Sequence, residues 1–239
     1  MQRGVLARLR RGMLLAIVAW LVLTVVPVLL LRWIPPVTSA YMLEARVAAL
    51  RAREKGYHTD YEWVSLERIS PQAAIAVVAS EDQTFPLNYG FDFGSIRGAV
   101  RAAERGRRLR GASTISQQVA RNLFLWPGRS FVRKGIEAYF TLLLEALWPK
   151  ERILEVYLNV AQFGRGIYGV EAAARRFYHE PAGRLSASQA ALLAAVLPNP
   201  VHWHVERPSR FVAWKRQWIL AQMRNLGGAA YLREVRQNQ

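Results

Sequence analysis

An uncharged run of 19 residues, Met13–Leu31, lies near the start of the chain. As an α-helix, a run of this length spans the roughly 30 Å hydrocarbon core of a bilayer. Four arginines precede it and the first acidic residue is Glu44, so the positive-inside bias keeps the N-terminus in the cytoplasm and places the rest across the membrane. The alternative is a cleaved signal peptide, but its apolar core is usually shorter and Thr38-Ser39-Ala40 is a poor cleavage site. We therefore expect an uncleaved, single-pass anchor.

The chain is strongly basic beyond this anchor as well. Of 33 Lys and Arg, 28 follow residue 32, against 17 Asp and Glu. Such an excess favours a polyanionic partner, which could be nucleic acid, anionic lipid or a phosphate-bearing substrate. An exported domain rarely meets DNA, so we expect no nucleic acid. The hydrophobic fraction of 52% excludes a disordered basic tail, and the lack of cysteine excludes disulfides, thiolate metal sites and a cysteine nucleophile.

Apolar periodicity and capping residues predict a mainly α fold behind the anchor. A helix begins at Ser70-Pro71, and further helices cover roughly residues 41–54, 113–123, 131–147, 150–161, 167–178, 187–196 and 209–225. Period-2 strand patterns are scarce. We predict three parts: an N-terminus and anchor over 1–34, a connecting segment over 35–58, and one functional domain over 59–239.

A carboxylate ends the first helix of that domain. Glu81 follows the apolar run Ala73–Ala79. Burial and the helix dipole at a C-terminus both disfavour the ionised form, as suits a general base that works near neutral pH. The alternative is an ordinary solvated Glu-Asp pair, and this segment alone does not decide between them.

Two further segments carry polar residues that suit phosphate. Gly111–Gln118 is a hydroxyl-rich turn before a helix, which offers N–H and O–H donors to phosphate oxygens, or else simply caps the helix. Arg133, Lys134 and Glu137 share one helix face, where they could hold a pyrophosphate and position its metal, or form a surface ion-pair cluster. The segment Lys150–Asn159 is interpreted mostly as a structural helix, with polar residues at its two ends.

Other patterns carry less information. The four histidines are scattered and predict no metal site. Neither Ser-x-x-Lys nor Lys-Thr-Gly occurs, which excludes a penicillin-binding type of acyl-transfer site. Six arginines between residues 97 and 110 are interpreted as a mobile segment that faces the membrane.

Four segments, in this order and spacing, resemble the peptidoglycan glycosyltransferase family in its monofunctional, membrane-anchored form. They are Glu81-Asp-Gln-Thr-Phe85, Gly111–Gln118, Arg133-Lys134-x-x-Glu137 and Lys150–Asn159. Gly169–Ala174 and Leu197–Pro200 are also similar to the family. The resemblance covers about residues 60–205 and implies a lysozyme-like helical domain with a large lobe and a small, membrane-proximal lobe, preceded by one transmembrane helix.

The resemblance also implies a reaction. The enzyme would join the disaccharide-peptide units of lipid II through β-1,4 bonds, with inversion and release of polyprenyl pyrophosphate. It would work at the bacterial inner membrane, with the catalytic domain in the periplasm. The implied partners are lipid II, the growing glycan strand, membrane lipids and other cell-wall synthesis proteins. A divalent cation, Mg²⁺ or Mn²⁺, is the one cofactor that the family allows, and no organic cofactor is expected.

Matching positions give the site residues that the resemblance implies. Glu81 would be the general base, and Glu137 a second essential carboxylate that binds a divalent ion or orients donor groups. The residues that would bind the pyrophosphate and sugar are Ser113, Thr114, Gln117, Gln118, Arg121, Asn122, Arg133, Lys134 and Lys150. Two positions depart from the family: Asn88 stands where histidine is frequent, and Arg121 where lysine is usual.

Two other classes of function stay open at this point. A lysozyme-type hydrolase also needs two carboxylates on a helical fold, but has no evident use for a cationic pyrophosphate site. A non-catalytic scaffold could grip anionic lipid through its arginines. An assay of activity on lipid II distinguishes a transferase from the hydrolase and from the scaffold.

Overall fold

The chain divides into two units, Met1–Pro36 and Val37–Gln239. They are seen in a computed structural model that describes residues 2–94, 97, 98, 101, 113–128 and 130–237. In the first unit, helix α1 covers Gln2–Leu31 and contains Pro27. Its part Arg10–Leu31 contains an 18-residue window with a mean hydropathy of 2.9 and is long and apolar enough to cross a membrane. The predicted apolar helix is confirmed, and it extends further toward the N-terminus than the uncharged run.

The second unit is built mainly from helices. They are α2 (Ala40–Arg51), α3 (Pro71–Glu81), α4 (Ile115–Phe124), α5 (Phe131–Leu147), α6 (Lys150–Val160), α7 (Val170–Tyr178), α8 (Ala187–Val196), α9 (Arg210–Asn225) and α10 (Leu232–Gln237). Single 3₁₀ turns occupy Leu66–Arg68, Ala182–Arg184 and Gly228–Tyr231. The predicted mainly α fold is therefore confirmed, whereas its division into two lobes stays a prediction. The helix of the predicted connecting segment, α2, belongs to this second unit.

Side-chain caps explain where several helices begin. The hydroxyls of Ser70, Ser130 and Ser209 each accept a hydrogen bond from a backbone N–H in the first turn of the helix that follows. Such a cap satisfies one of the N–H groups that a helix start leaves without a partner. Because these signals are local, the predicted starts of α3, α5 and α9 agree with the structure to within one residue.

One predicted helix begins too early. Residues 167–178 were expected to be helical throughout, but Ile167–Tyr168 forms strand β3 and α7 begins only at Val170. Strand β3 pairs parallel to β1 (Asp60–Tyr61) and antiparallel to β2 (Gln162–Gly164). Strands of two or three residues are too short to show a period-2 pattern in the sequence.

Helix α3 lies at the centre of the second unit. Every residue from Ala73 to Ala79 is buried, and the helix packs on α8 and α9. A helix that is apolar on all sides must be enclosed by others. Helix α4 in turn packs on α5 and α6. The end of α3 therefore brings Glu81 to the place where the polar residues of α4 begin.

Candidate active site

The first contact of the site joins Glu81 to Gln118. The Gln118 amide Nε2 donates to Glu81 Oε2 over 2.9 Å, and the Tyr157 hydroxyl donates to Gln118 Oε1 over 3.2 Å. Glu81 is half-buried, whereas Tyr157 is fully buried, and burial raises the pKa of its hydroxyl well above the usual value. Tyr157 therefore stays a donor near neutral pH and turns the NH₂ group of Gln118 toward the carboxylate. This links the first, second and fourth segments of the sequence pattern.

Loss of the Tyr157 hydroxyl should loosen this alignment. In Tyr157→Phe, the Gln118 amide has no fixed orientation and can present its oxygen to Glu81. One hydrogen bond contributes about 1 kcal/mol, so we expect the turnover rate to fall about fivefold. Tyr178→Phe is the matched control, because that hydroxyl bonds the carbonyl of Gln189. Equal rates for the two variants in a glycan polymerisation assay would contradict the role of Tyr157.

Asp82, which the sequence interpretation did not select, is held much more firmly than its neighbour. Its carboxylate is buried and accepts hydrogen bonds from the amide of Asn88, the hydroxyl of Thr84 and the backbone N–H of Ile115. Burial raises the pKa of Asp82, and these donors together with Lys150 oppose the rise. Asp82 therefore ties the end of α3 to the start of α4. Asn88, where the family often has histidine, serves as one of its donors.

The loop after Asp82 is fitted closely against α5. Gly90 has a φ of +79°, its carbonyl accepts from the Thr114 hydroxyl over 2.7 Å, and its N–H donates to Asn88 Oδ1 over 3.1 Å. A Cβ at this position would lie 2.7 Å from Thr141 Cγ2 and 2.9 Å from Glu145 Cγ. Both the backbone conformation and the space therefore require glycine here.

Gly90→Ala should destabilise the protein by more than the backbone strain alone. Gly56→Ala is the matched control, since Gly56 has a similar φ of +84° but open space around it. Both variants carry about 1–2 kcal/mol of left-handed strain, and the Gly90 variant adds about 1–3 kcal/mol of overpacking. Thermal unfolding of the two purified variants measures the difference. Equal melting temperatures would show that the loop can move away from α5.

Lys150 lies in a buried ion pair. Its ammonium donates to Glu145 Oε1 over 2.8 Å, lies 3.4 Å from Asn88 Oδ1, and sits 4.7 Å from the ring centroid of Phe85. Ser116 Oγ also donates to Glu145. Burial lowers the pKa of Lys150, and Glu145 opposes that shift. This arrangement favours a structural role, and Glu145 is a partner that the sequence interpretation missed.

Two of the predicted polar residues cap α4. Thr114 Oγ1 accepts from the N–H of Gln117, and Gln117 Oε1 accepts from the N–H of Thr114. Both residues are buried. For this pair, the alternative of ordinary capping describes the contacts in the structure, and their predicted role toward substrate stays a prediction. Ser113, just before the cap, lines the same pocket as Glu81.

The cluster on α5 is buried around Glu137. Arg133 Nη1 donates to Glu137 Oε2 over 3.2 Å and Lys134 Nζ donates to Glu137 Oε1 over 2.5 Å. Glu137 is 2% exposed, whereas the Lys134 side chain is 49% exposed. Among the described residues, Arg133 Nε is buried without a hydrogen-bond partner. Both cations therefore keep donors available beyond their pairs with Glu137.

Arg121 and Asn122 line a second pocket, of about 190 Å³, beside Gln118 and Tyr157. The guanidinium of Arg121 lies 6.0 Å from the ring centroid of Tyr41 on α2. Its Nε is also buried without a partner within the described part of the chain. A half-buried guanidinium whose buried Nε–H is unused suits an anionic ligand. The side chain of Gln118 therefore lies between the guanidinium of Arg121 and the carboxylate of Glu81.

The pocket at Glu81 has a volume of about 320 Å³. Its lining includes Asp82, Gln83, Ser113 and, from α9, Trp218. The carbonyl of Gln83 accepts from the Tyr231 hydroxyl over 2.8 Å, which fixes one wall. Trp218 was not selected from the sequence because its contact with Glu81's pocket depends on the packing of α9 on α3.

Some predictions fall outside these contacts. Of the arginine run, Arg97 and Arg101 are described, and the rest of the run lies outside the described residues. In the part of the chain that the structure describes, no group of three or more His, Asp and Glu side chains is placed to hold a metal.

Asn159 is buried and bonds the backbone of Val64 through both ends of its amide, so it joins α6 to the segment before α3.

A family model described as Transglycosylase matches residues 47–224 of the chain. The chain belongs to this family. It is 52% identical over 225 residues to the biosynthetic peptidoglycan transglycosylase of Cronobacter sakazakii, covering 94% of this chain and 93% of that protein. It is 49% identical to the protein of the same name from Chromohalobacter salexigens, covering 98% and 100% of the two chains. The relative of that name from Mannheimia succiniciproducens is 53% identical over 86% of this chain and 84% of its own.

The transglycosylase family was predicted from four segments, and that prediction is confirmed, as is the prediction of a glycosyl-transferring enzyme. Two of its segments meet at the Glu81–Gln118 contact and a third adds Tyr157. The remaining segment, around Glu137, lies on α5, which packs against α4. The roles of the individual residues remain predictions.

Proposed function

We propose that this transglycosylase polymerises lipid II into peptidoglycan glycan strands. The observation that carries the proposal is the setting of Glu81, a half-buried carboxylate aligned by Gln118 at the wall of a 320 Å³ pocket. One oxygen of Glu81 receives the Gln118 amide, so the other is available to a substrate hydroxyl. The names of the relatives, all biosynthetic peptidoglycan transglycosylases, support the same substrate class.

In the proposed step, Glu81 takes the proton of the 4-hydroxyl of the incoming lipid II. The hydroxyl oxygen attacks the anomeric carbon of the growing strand, and a β-1,4 bond forms with inversion. The bond from that carbon to the pyrophosphate oxygen breaks, and polyprenyl pyrophosphate leaves with the bonding electrons. General-base assistance of this kind typically contributes about 10²–10⁴ in rate.

Departure of the pyrophosphate needs fixed positive charge. Arg121, Arg133 and Lys134 are the proposed sources, since each retains N–H donors beyond its described contacts. Donors already in place stabilise developing charge without reorganisation. Lys150 is the weakest candidate because its ammonium is buried against Glu145. Asn122 and Ser113 line the two pockets and would contact sugar or phosphate oxygens.

A divalent cation does not fit Glu137 as a protein ligand. Both oxygens of this carboxylate already form ion pairs, with Arg133 and Lys134, so a metal would have to displace a cation. We therefore assign Glu137 the role of orienting these two cations. Mg²⁺ or Mn²⁺ would act only through the pyrophosphate of the substrate, and polymerisation with and without a chelator tests this dependence.

The proposed location rests on helix α1. We propose that this helix spans the inner membrane once, with its N-terminal arginines in the cytoplasm and the second unit in the periplasm, where it meets membrane lipids and other cell-wall synthesis proteins. Protease protection in spheroplasts tests the orientation: an epitope after residue 239 should be accessible from outside.

The decisive experiment supplies purified full-length protein with labelled lipid II. We expect long glycan together with released polyprenyl pyrophosphate. Cleavage of finished glycan without polymerisation would instead identify a hydrolase. Binding of lipid II without any product would identify a scaffold.

A further inference from the structure

Helix α9 carries a row of aromatic side chains on its surface. Phe211, Trp214 and Trp218 are 49%, 59% and 38% exposed. Their spacing of three and four residues puts them on one face of the helix, over a length of about 10 Å. Side chains of this size are usually buried in a helix that packs on its neighbours, as Val212, Ile219 and Met223 of α9 are.

Two of these rings, Phe211 and Trp214, form a contiguous group with Trp203. The centroids of Phe211 and Trp214 are 5.8 Å apart, and Trp203, from the loop before α9, lies 5.2 Å from Phe211. The Lys215 ammonium lies 5.7 Å from the centroid of Trp203. Mutual packing orders the rings before any ligand arrives, which reduces the entropy lost on binding. We call Trp203, Phe211, Trp214 and Trp218 the aromatic strip.

The aromatic strip begins inside the catalytic pocket. Trp218 lines the pocket together with Glu81, Asp82 and Ser113, and the other three rings lie on the surface beyond it. The pocket, at about 320 Å³, is small compared with a polymer. A glycan strand that reacts at Glu81 must therefore continue over the surface that borders the pocket.

We propose that the aromatic strip is a binding surface for the glycan strand, on the assumption that the proposed polymerase function is correct. The faces of N-acetylated pyranose rings carry C–H groups that are attracted to the negative face of an aromatic ring. Stacking on flat rings does not depend on which sugar unit is bound. The strand can therefore slide along the strip as units are added. The strip thus retains the strand between successive additions.

A membrane surface is the competing occupant, since tryptophan and basic residues also favour the lipid interface. Continuity with the catalytic pocket favours glycan over lipid, because lipid along the strip would obstruct the path of the strand. The two occupants make different predictions for the same variants.

The test uses the full-length double variant Phe211→Ala/Trp214→Ala. Its probe is the β-1,4-linked tetramer of N-acetylglucosamine, with affinity measured by ligand-observed NMR. Two stacked rings each contribute roughly a factor of 2–10, so we expect about tenfold weaker binding. With lipid II, the variant should release shorter strands than wild type at equal substrate consumption. Trp214→Tyr, which keeps a ring, should recover most of the affinity.

Two controls isolate the strip. Gln217→Ala changes an exposed residue of α9 that carries no ring, and Trp126→Ala removes a ring that is 51% exposed after α4. Neither should change tetramer affinity. Unchanged affinity and unchanged strand length in the double variant, with a wild-type melting curve, would overturn the proposal.

A separate experiment tests whether the aromatic strip lies in lipid. Full-length protein is reconstituted into phosphatidylglycerol vesicles with brominated acyl chains, which quench indoles inside the bilayer. Loss of a quenched component in Trp214→Tyr would place this side chain in lipid and overturn the proposal. Tetramer binding needs no polymerisation, so a chain that binds the tetramer through the strip but makes no glycan would contradict the proposed function alone.

Discussion

Glu81→Gln should lower the rate of lipid II polymerisation about 10³-fold. The amide keeps the size of the side chain and can still accept from Gln118, so the pocket is preserved. It cannot take a proton from the acceptor hydroxyl, and loss of a general base typically lowers the rate by about 10²–10⁴. The initial rate of glycan formation, measured with purified full-length protein in detergent, gives the result.

The matched control for this prediction is Glu206→Gln, which changes an exposed glutamate in the same unit. It should retain the wild-type rate. The melting temperatures of both variants should stay close to that of wild type, because Glu81 lies at the wall of a pocket. A Glu81→Gln enzyme that polymerises at the wild-type rate would remove this carboxylate from the mechanism.

Lys150→Met should lower stability by about 3–5 kcal/mol. Methionine has a similar length but no charge, so Glu145 would remain buried without its cation. Breaking a buried pair from one side typically has this effect. In a unit of about this size, each kcal/mol lowers the melting temperature by roughly 2–4 °C, so we expect a decrease of about 6–20 °C.

A second variant distinguishes the pair from a catalytic role. Lys150→Met/Glu145→Gln removes both charges and should recover a large part of the lost stability. Lys55→Met, at an exposed lysine, is the control and should melt like wild type. If Lys150→Met kept its melting temperature but lost activity, the ammonium would act on the substrate, as the family resemblance implies.

Much of the helical framework could be predicted because its signals are local. Ser130 before α5 and Ser186 before α8 cap their own helices through neighbouring backbone groups, and both helices have the predicted bounds. The short strand Ile167–Tyr168 could not be predicted, since two residues show no strand pattern and one of its two pairings is with Asp60–Tyr61, more than 100 residues earlier. The turn and helix after Gly227 were missed because two glycines interrupt the apolar pattern.

The sequence pattern predicted which segments form the site, but fewer of the contacts between individual side chains. The Glu81–Gln118 bond agrees with a grouping of the first two segments. Asp82 and Trp218 were missed because part of their surroundings comes from helices distant in sequence, and Glu145 because its pair with Lys150 crosses the break between α5 and α6. In the same way, Lys150 looks in the sequence like a free cation, and only the fold supplies the glutamate that neutralises it.

The bond from Tyr231 to the carbonyl of Gln83 also sets an order of events during synthesis. The residues around Glu81 leave the ribosome early, but the wall that includes Gln83 is held by Tyr231, which lies 148 residues after it. We expect a nascent chain to be anchored through α1 long before its pocket is complete. Activity would then begin only after the segment around Tyr231 has also left the ribosome.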